Sequence, residues 1–313
     1  MIDERTVQGI ITDIQRFSVH DGQGIRTVIF LKGCPLRCLW CHNPETNRSC
    51  VEMAYYRDKC IGCGQCLRVC PSGAIAEGGA VDQIRCTQCG MCADACCTRA
   101  RVQIGQQKTA GELLNLVQRD NEFYRSIGGM TLSGGEPTMQ PEFALALLRL
   151  AKAAGIHTAI ETCGFCRWED LEPIASACDL FLYDVKHMDS AAHKKSTGVD
   201  NRIIHENLRR LWAIKKQIII RVPLVPGIND TAENLAATAR LAEEVNAREI
   251  HILPFHQLGT EKWHALCRAY AMEETPEPTD DAVQVALEIM RAATKRIVSV
   301  GAVSYTHLRA HET

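Results

Sequence analysis

Three absences narrow the field before any motif is read. The 313-residue chain has no excess of either charge, −2 in formal terms at pH 7, which gives no reason to expect nucleic acid or an anionic membrane surface as a partner. It has no apolar run of the roughly 18 residues that a membrane span requires. Its start, Met-Ile-Asp-Glu-Arg, has neither the basic nor the apolar region of a secretory leader, so a cytoplasmic location is expected. Apolar periodicity is nearly absent over residues 50–104. It is missing again over Ala302–Thr313, which reads as a non-native tail and is set aside with its two histidines. What remains is long enough to bury a substantial core, as one large domain or two ordinary ones.

What the chain has in quantity is cysteine, 17 in all, most of it in short-spaced clusters. In a long cytosolic chain that usage argues for metal rather than disulfides. The first cluster lies in Gly33–Asn43, where Cys34, Cys38 and Cys41 are spaced CxxxCxxC. Three thiolates on a four-iron cube leave one iron without a protein ligand, an open position at which a small molecule can meet a redox-active metal. A zinc loop borrowing a distant fourth ligand is the other reading. Two further runs follow in the aperiodic segment. Cys60, Cys63, Cys66 and Cys70-Pro71 form CxxCxxCxxxCP, and Cys86, Cys89, Cys92 and Cys96 repeat the spacing without the proline. This is the arrangement of bacterial two-cluster ferredoxins, in which the fourth cysteine of each run serves the other cluster. The expected sets are Cys60, Cys63, Cys66 and Cys96 for one [4Fe–4S] cluster, and Cys86, Cys89, Cys92 and Cys70 for a second. Cys97 competes with Cys96, and a pair of zinc sites is the bland alternative.

Outside the cysteines the chain alternates. Residues 9–17 and 28–31 read as strands around a glycine-rich loop, Phe17–Thr27. Helix is expected at 109–126, 141–154, 168–177, 201–215, 231–246, near 260–270 and at 279–295. Strand is expected at 129–133, 157–162, 180–186, 217–225, 249–255 and 296–300. Continuously apolar strands between amphipathic helices specify an α/β fold with a parallel sheet. The count suggests an incomplete (β/α)6-type barrel with chemistry at the C-terminal strand ends. The polar motifs fall there. Gly134, Gly135 and Glu136 lie in Ser-Gly-Gly-Glu-Pro, where glycines permit close backbone approach and a carboxylate accepts from an ammonium; a plain turn is the alternative. Glu161-Thr162-Cys163-Gly164 ends the next strand. Asp184 and Lys186, flanking Val185, share one face and suit a polar ligand or a structural ion pair. His256 closes the sixth strand. Lys194-Lys195 and Arg209-Arg210 read as solvated helix faces, Cys178 and Cys267 as small core residues, and Cys50, Cys163 and Cys166 are undecided.

The CxxxCxxC spacing, with Trp40 before the third cysteine, resembles the signature of radical S-adenosylmethionine (radical SAM) enzymes. With Phe17–Thr27, Gly128–Pro137, Glu161–Gly164, Asp184–Met188, Arg221–Asp230 and Leu253–Trp263 in the same order, the chain to about residue 301 resembles the glycyl-radical-enzyme activating enzymes. That resemblance implies a cluster on Cys34, Cys38 and Cys41 that reductively cleaves SAM. The 5'-deoxyadenosyl radical so formed takes hydrogen from a backbone glycine of a partner glycyl radical enzyme. It implies that Trp40, Cys41, His42, Gly134, Gly135, Glu136, Asp184, Val185, Lys186 and His256 hold SAM. It also implies a flavodoxin or ferredoxin-type electron donor and, as in some relatives, a monovalent cation at Glu161 and Thr162 beside Asp184; no nucleic acid or membrane partner is expected, on the charge and hydropathy above. Gln23 stands where the family usually has proline, and Glu161 where some members have aspartate. The two-cluster insert aligns the chain with activators of decarboxylases, dehydratases and C–N or C–S lyases. The expected plan is a barrel start over 1–49, a ferredoxin-like two-cluster domain over 50–104, the rest of the barrel over 105–301 and the tail over 302–313. Two rivals stand beside it: another radical SAM enzyme, such as a peptide maturase or small-molecule mutase, and an iron–sulfur electron-transfer protein.

Overall fold

The computed structural model describes residues 3–301, so the tail reading lies outside the described residues. Its centre is a nine-stranded sheet. Strand β1 (Gln8–Ser18) runs antiparallel to β2 (Arg26–Leu31), after which the chain leaves the sheet through the first cysteine loop. It makes a separate two-stranded sheet from β3 (Glu52–Tyr55) and β4 (Arg101–Ile104), then rejoins the main sheet as β5 (Gln106–Thr109) beside β1. From there β6 (Gly129–Gly134), β7 (His157–Thr162), β8 (Leu180–Asp184), β9 (Gln217–Leu224), β10 (Glu249–Pro254) and β11 (Ile297–Val300) follow. The order is β11-β10-β9-β8-β7-β6-β2-β1-β5, parallel from β2 to β11, with two open edges. A mostly parallel sheet with helices packed against it is the α/β architecture expected.

Side-chain parity builds the two faces. Ile218, Ile220, Phe181, Tyr183, Met130 and Leu132 join the helix-covered core. Each such side chain, fully buried, contributes roughly 1.5–3 kcal/mol. Their neighbours Ala159, Leu180, Leu182 and Ile219 form a smaller apolar layer on the inner face. Further along the same inner rows come Ser133, Glu161, Asp184, Arg221 and Pro223. The strand period therefore delivers polar groups to the mouth and keeps its floor dry.

Among the differences from the sequence expectation, two concern helices. The helix over 109–126 is broken into Ala110–Gln118 and Asn121–Tyr124. Between them the buried Asp120 turns inward, its carboxylate accepting from Arg16 Nε at 2.9 Å and from Thr27 Oγ1 at 2.7 Å, a use of aspartate that competes with helix continuation. A helix over Ser190–Thr197, not anticipated, starts at Asp189, whose carboxylate accepts from Ala192 N at 2.7 Å. Cys178 is buried, but Cys267 is exposed and lies past the Thr260–Ala265 helix at positive φ, which corrects its reading as a core residue.

The segment between β2 and β5 is fastened to the sheet by charge and by apolar contact. Lys32, fully buried, donates to Glu52 at 2.9 Å and to the Glu45 carbonyl at 2.6 Å. Arg268 pairs with the same Glu52, and Lys262 reaches Glu45 at 2.9 Å. Beside them Ala54, Tyr56 and Ile104 pack on Ala265 and Leu266.

Candidate active site

The first cysteine loop lies across the mouth of the sheet, and its backbone hydrogen bonds fix it there. Gly33 N donates to Thr46 O at 2.7 Å and Cys34 N to Asn47 O at 3.1 Å. Arg37 N and Leu39 N donate to Thr197 O and Ser196 O of the unanticipated helix, at 2.7 and 3.0 Å. On the far side the Trp263 indole donates to the Cys41 carbonyl at 2.9 Å, and Trp40 packs with Val225, Phe255, Tyr270 and Met272. The glycine turn after β6 locks in beneath. Gly135 N donates to Leu31 O and Glu136 N to Gly33 O, at 2.9 and 2.7 Å. A Cβ on Gly134 would stand 2.4 Å from Leu31 N, and one on Gly135 2.1 Å from Gly33 O. The glycines are required by strand-to-strand approach.

Between these walls lies a cavity of about 140 Å³ that Cys34, Cys38, Trp40, Cys41 and His42 share with Gly134, Gly135, Asp184 and Lys186. Residues not singled out from sequence also line it, among them Asn43, Asn47, Ser133, Pro223, Val225 and Phe255. Inner-face parity on β6 and β9 was the signal that could have found Ser133 and Pro223. Burial, and after it the neighbouring thiols, pushes Cys34 up and Cys41 up to about 12, while burial raises Cys38. Three thiols held neutral by their surroundings ionise readily only against a strong cation, so the donor set fits a metal cluster. Among the described residues no three Cys, His, Asp or Glu side chains converge tightly enough for a single metal ion. An iron–sulfur cube needs its thiolates set around a wider body.

Lys186 Nζ lies 3.0 Å from Asp184 Oδ2. Burial opposes the ammonium, but Asp184 and then Cys38 outweigh it and hold Lys186 above its ordinary value. Three of the expected SAM contacts do not line the cavity. Glu136 turns away: its carboxylate accepts from Thr138 Oγ1 at 2.9 Å, Thr162 Oγ1 at 2.7 Å and Cys163 N at 2.8 Å. Val185 is buried, its N–H donated to Arg221 O at 2.9 Å. His256 stands behind His42 as a stacking partner. Cys163 does line the cavity, and burial, then Glu136, raises its thiol well above the ordinary value. Glu161 Oε1 is 2.9 Å from Arg221 Nη1, and its other oxygen accepts from the Ser133 hydroxyl. With Thr162 given to Glu136, these donors are engaged within the chain and do not fit a cation site.

The eight cysteines of the other two runs separate into two groups. Cys60, Cys63, Cys66 and Cys96 line one cavity, of about 310 Å³, and Cys70, Cys86, Cys89 and Cys92 line another. Cys97 lines neither. Local donors favour thiolates in both. The Tyr55 hydroxyl lowers Cys60. Burial would raise Cys70 and Cys96, but backbone N–H groups, Ala74 N at 3.3 Å from Cys70 Sγ among them, outweigh it. The paired short helices Gln65–Val69 and Met91–Asp94 each begin after a glycine at positive φ.

Known proteins resemble this chain. The Radical SAM superfamily model matches residues 28–242. The isethionate sulfite-lyase activating enzyme of Oleidesulfovibrio alaskensis is 46% identical over 304 residues, 93% of this chain and 97% of that one. The (2S)-3-sulfopropanediol sulfolyase activating enzyme of Bilophila wadsworthia is 42% identical, over 92% and 97%. In fold alone, Streptococcus suis SuiB bound to its precursor peptide SuiA aligns over 90% of this chain and 48% of that one, with a TM-score of 0.53 at 12% identity. With a superfamily model over more than half its length and full-length relatives that activate lyases, the chain belongs to the glycyl-radical-enzyme activating enzymes of the radical SAM superfamily.

Proposed function

We propose that Cys34, Cys38 and Cys41 hold a SAM-binding [4Fe–4S] cluster, that residues 50–104 are a ferredoxin-like domain with two more, and that the partner is a glycyl radical enzyme of the lyase type. When bound, the first cluster supplies the electron that cleaves SAM to methionine and a 5'-deoxyadenosyl radical, which takes hydrogen from a glycine of the partner. The supporting observation is the shared cavity, with three thiols on one wall and Asp184 and Lys186 on the other.

In this reading the chain positions rather than reacts. Lys186 presents a fixed ammonium to the SAM carboxylate, and Asp184 holds that ammonium in place. The Gly134–Gly135 backbone approaches the methionyl end. Glu136 and Val185 act from behind, by tying strand ends together. Trp40 and Phe255 keep the pocket wall apolar, so that a reactive radical meets little water. Cys60, Cys63, Cys66 and Cys96, and Cys70, Cys86, Cys89 and Cys92, would hold the second and third clusters, which would supply electron transfer from a flavodoxin or ferredoxin-type donor.

The test is anaerobic. Iron-reconstituted protein is given dithionite and SAM, and deoxyadenosine and iron are assayed together. Deoxyadenosine with about twelve irons, as three four-iron clusters demand, supports the reading. About four irons with full deoxyadenosine removes the insert clusters from it. An isethionate sulfite-lyase is the first partner to add, with a glycyl radical signal in electron paramagnetic resonance as the readout.

A further inference from the structure

One side chain near the insert cavities is used by neither the fold's ion-pair network nor the proposed mechanism. Arg101, at the start of β4, is only 2% exposed. Its guanidinium carbon sits 4.5 Å from the centre of the Tyr55 ring, its cross-strand neighbour. One terminal nitrogen donates to the Gly79 carbonyl. Nε and Nη1 have no hydrogen-bond partner, and among the described residues no carboxylate lies within ion-pair distance. A buried guanidinium left in this state is expensive, because Arg stays charged where other groups would neutralise.

The surroundings say what it faces. Arg101 and Tyr55 line the cavity of Cys60, Cys63, Cys66 and Cys96. On the same strand pair Met53 lines the cavity of the other tetrad. Gly79 supplies its carbonyl only because it is glycine: a Cβ there would stand 2.4 Å from the Tyr55 ring, at φ +91°.

We infer that Arg101 is the built-in counter-charge of the cluster held by Cys60, Cys63, Cys66 and Cys96, stabilising its reduced form. The inference rests on the reading that the insert carries clusters. A tetrathiolate cluster is anionic and gains one further negative charge on taking one electron from a low-potential donor, with no bond made or broken. A fixed cation lining the same cavity favours that reduction. This cluster would then fill first and hold an electron in reserve. Arg101 is a positioning residue, not a catalytic one.

The test is a redox titration with dithionite, followed by electron paramagnetic resonance, on fully reconstituted wild type, Arg101→Met and Arg101→Lys. The signal that responds to SAM is the internal control. In Arg101→Met one SAM-insensitive signal should become about tenfold harder to reduce, about 59 mV for one electron, with the SAM-responsive signal unmoved. Arg101→Lys, which keeps the charge, should shift it by less than half as much. Unchanged potentials at full iron content, or equal shifts in both variants, overturn the inference. Wild type that takes up only about four irons overturns the underlying reading instead. If Arg101→Met holds less iron, melting of the iron-free chain decides. Stability equal to or above iron-free wild type means that the guanidinium is needed only opposite the cluster; lower stability means a packing role and overturns the proposal.

Discussion

The His42 and His256 imidazoles stack with ring centroids 3.8 Å apart and planes 25° from parallel. They belong to the loop after β2 and the end of β10, strands with four others between them in the sheet. Gly259 completes the junction: a Cβ there would lie 3.1 Å from His42 Cα. The mouth is thus closed across its diameter by ring contact rather than by strand pairing.

Removing that contact should loosen the site without removing a ligand. His256→Ala is expected to weaken SAM binding about fivefold, the equivalent of about 1 kcal/mol for an aromatic pair. His256→Phe, which keeps a flat ring, should stay near wild type. Equilibrium titration of reconstituted protein measures both, and an equal loss in Phe and Ala would rule out stacking as the cause.

Asp184 and Lys186 make a pair only 17% and 14% exposed at the side chains. Asp184→Asn or Lys186→Met should each destabilise the protein by about 2 kcal/mol, less than for a fully enclosed pair. The double variant should recover part of that stability and none of the SAM affinity. Denaturant melts and SAM titrations run side by side separate the two effects.

Gly135 has no room for a side chain. Gly135→Ala should push the turn off the cysteine loop, cost about 1–3 kcal/mol as overpacking does, and release iron from the SAM-binding cluster first. Iron content and melting temperature check this; full iron retention with unchanged melting would contradict the packing described.

The cysteine groups should separate by function. Cys34→Ala should abolish deoxyadenosine formation, whereas Cys63→Ala should retain part of it when dithionite replaces the natural donor. Equal loss in both would end the division between the cavity at the mouth and those in the insert.

His205 gives a pH signature remote from the cysteines. Burial, with Arg209 and His193 adding to it, lowers this histidine to about 4. The unfolded chain, with an ordinary value near 6.5, takes the proton first. Stability present above about pH 6.5 is therefore lost as pH falls from there to about 4, by at most about 1.4 kcal/mol per pH unit from this group. His205→Gln should flatten that part of the stability profile.

Much of this was legible in the residues because periods of two and 3.6 are strong signals. The strands of the parallel sheet fall where apolar runs place them, and the thiols at 34, 38 and 41 meet Asp184 and Lys186 because all lie at strand ends. What escaped was set by tertiary partners. Ser190–Thr197 is a polar helix with little apolar face, recognisable only by its Asp189 cap and by the cysteine loop that leans on it. Asp120 breaks a helix to serve Arg16 and Thr27, both remote in sequence. Glu136 has the position of a ligand group but the surroundings of a strut, since Thr162 and Cys163 reach it from the next strand. Arg101 lies in an aperiodic stretch that carries no signal for it; its burial singles it out.

Because β3 and β4 lie side by side, Glu52 opposite Ile104, the intervening polypeptide leaves and returns at nearly the same point. Such a module is attached like a plug-in: its excision would leave the strand order of the main sheet and the threading of every later crossover untouched. A lineage could gain or lose a segment attached in this way in one genetic event, and an engineer could exchange it for another, provided that Lys32, Glu52 and Arg268 still found one another at the seam.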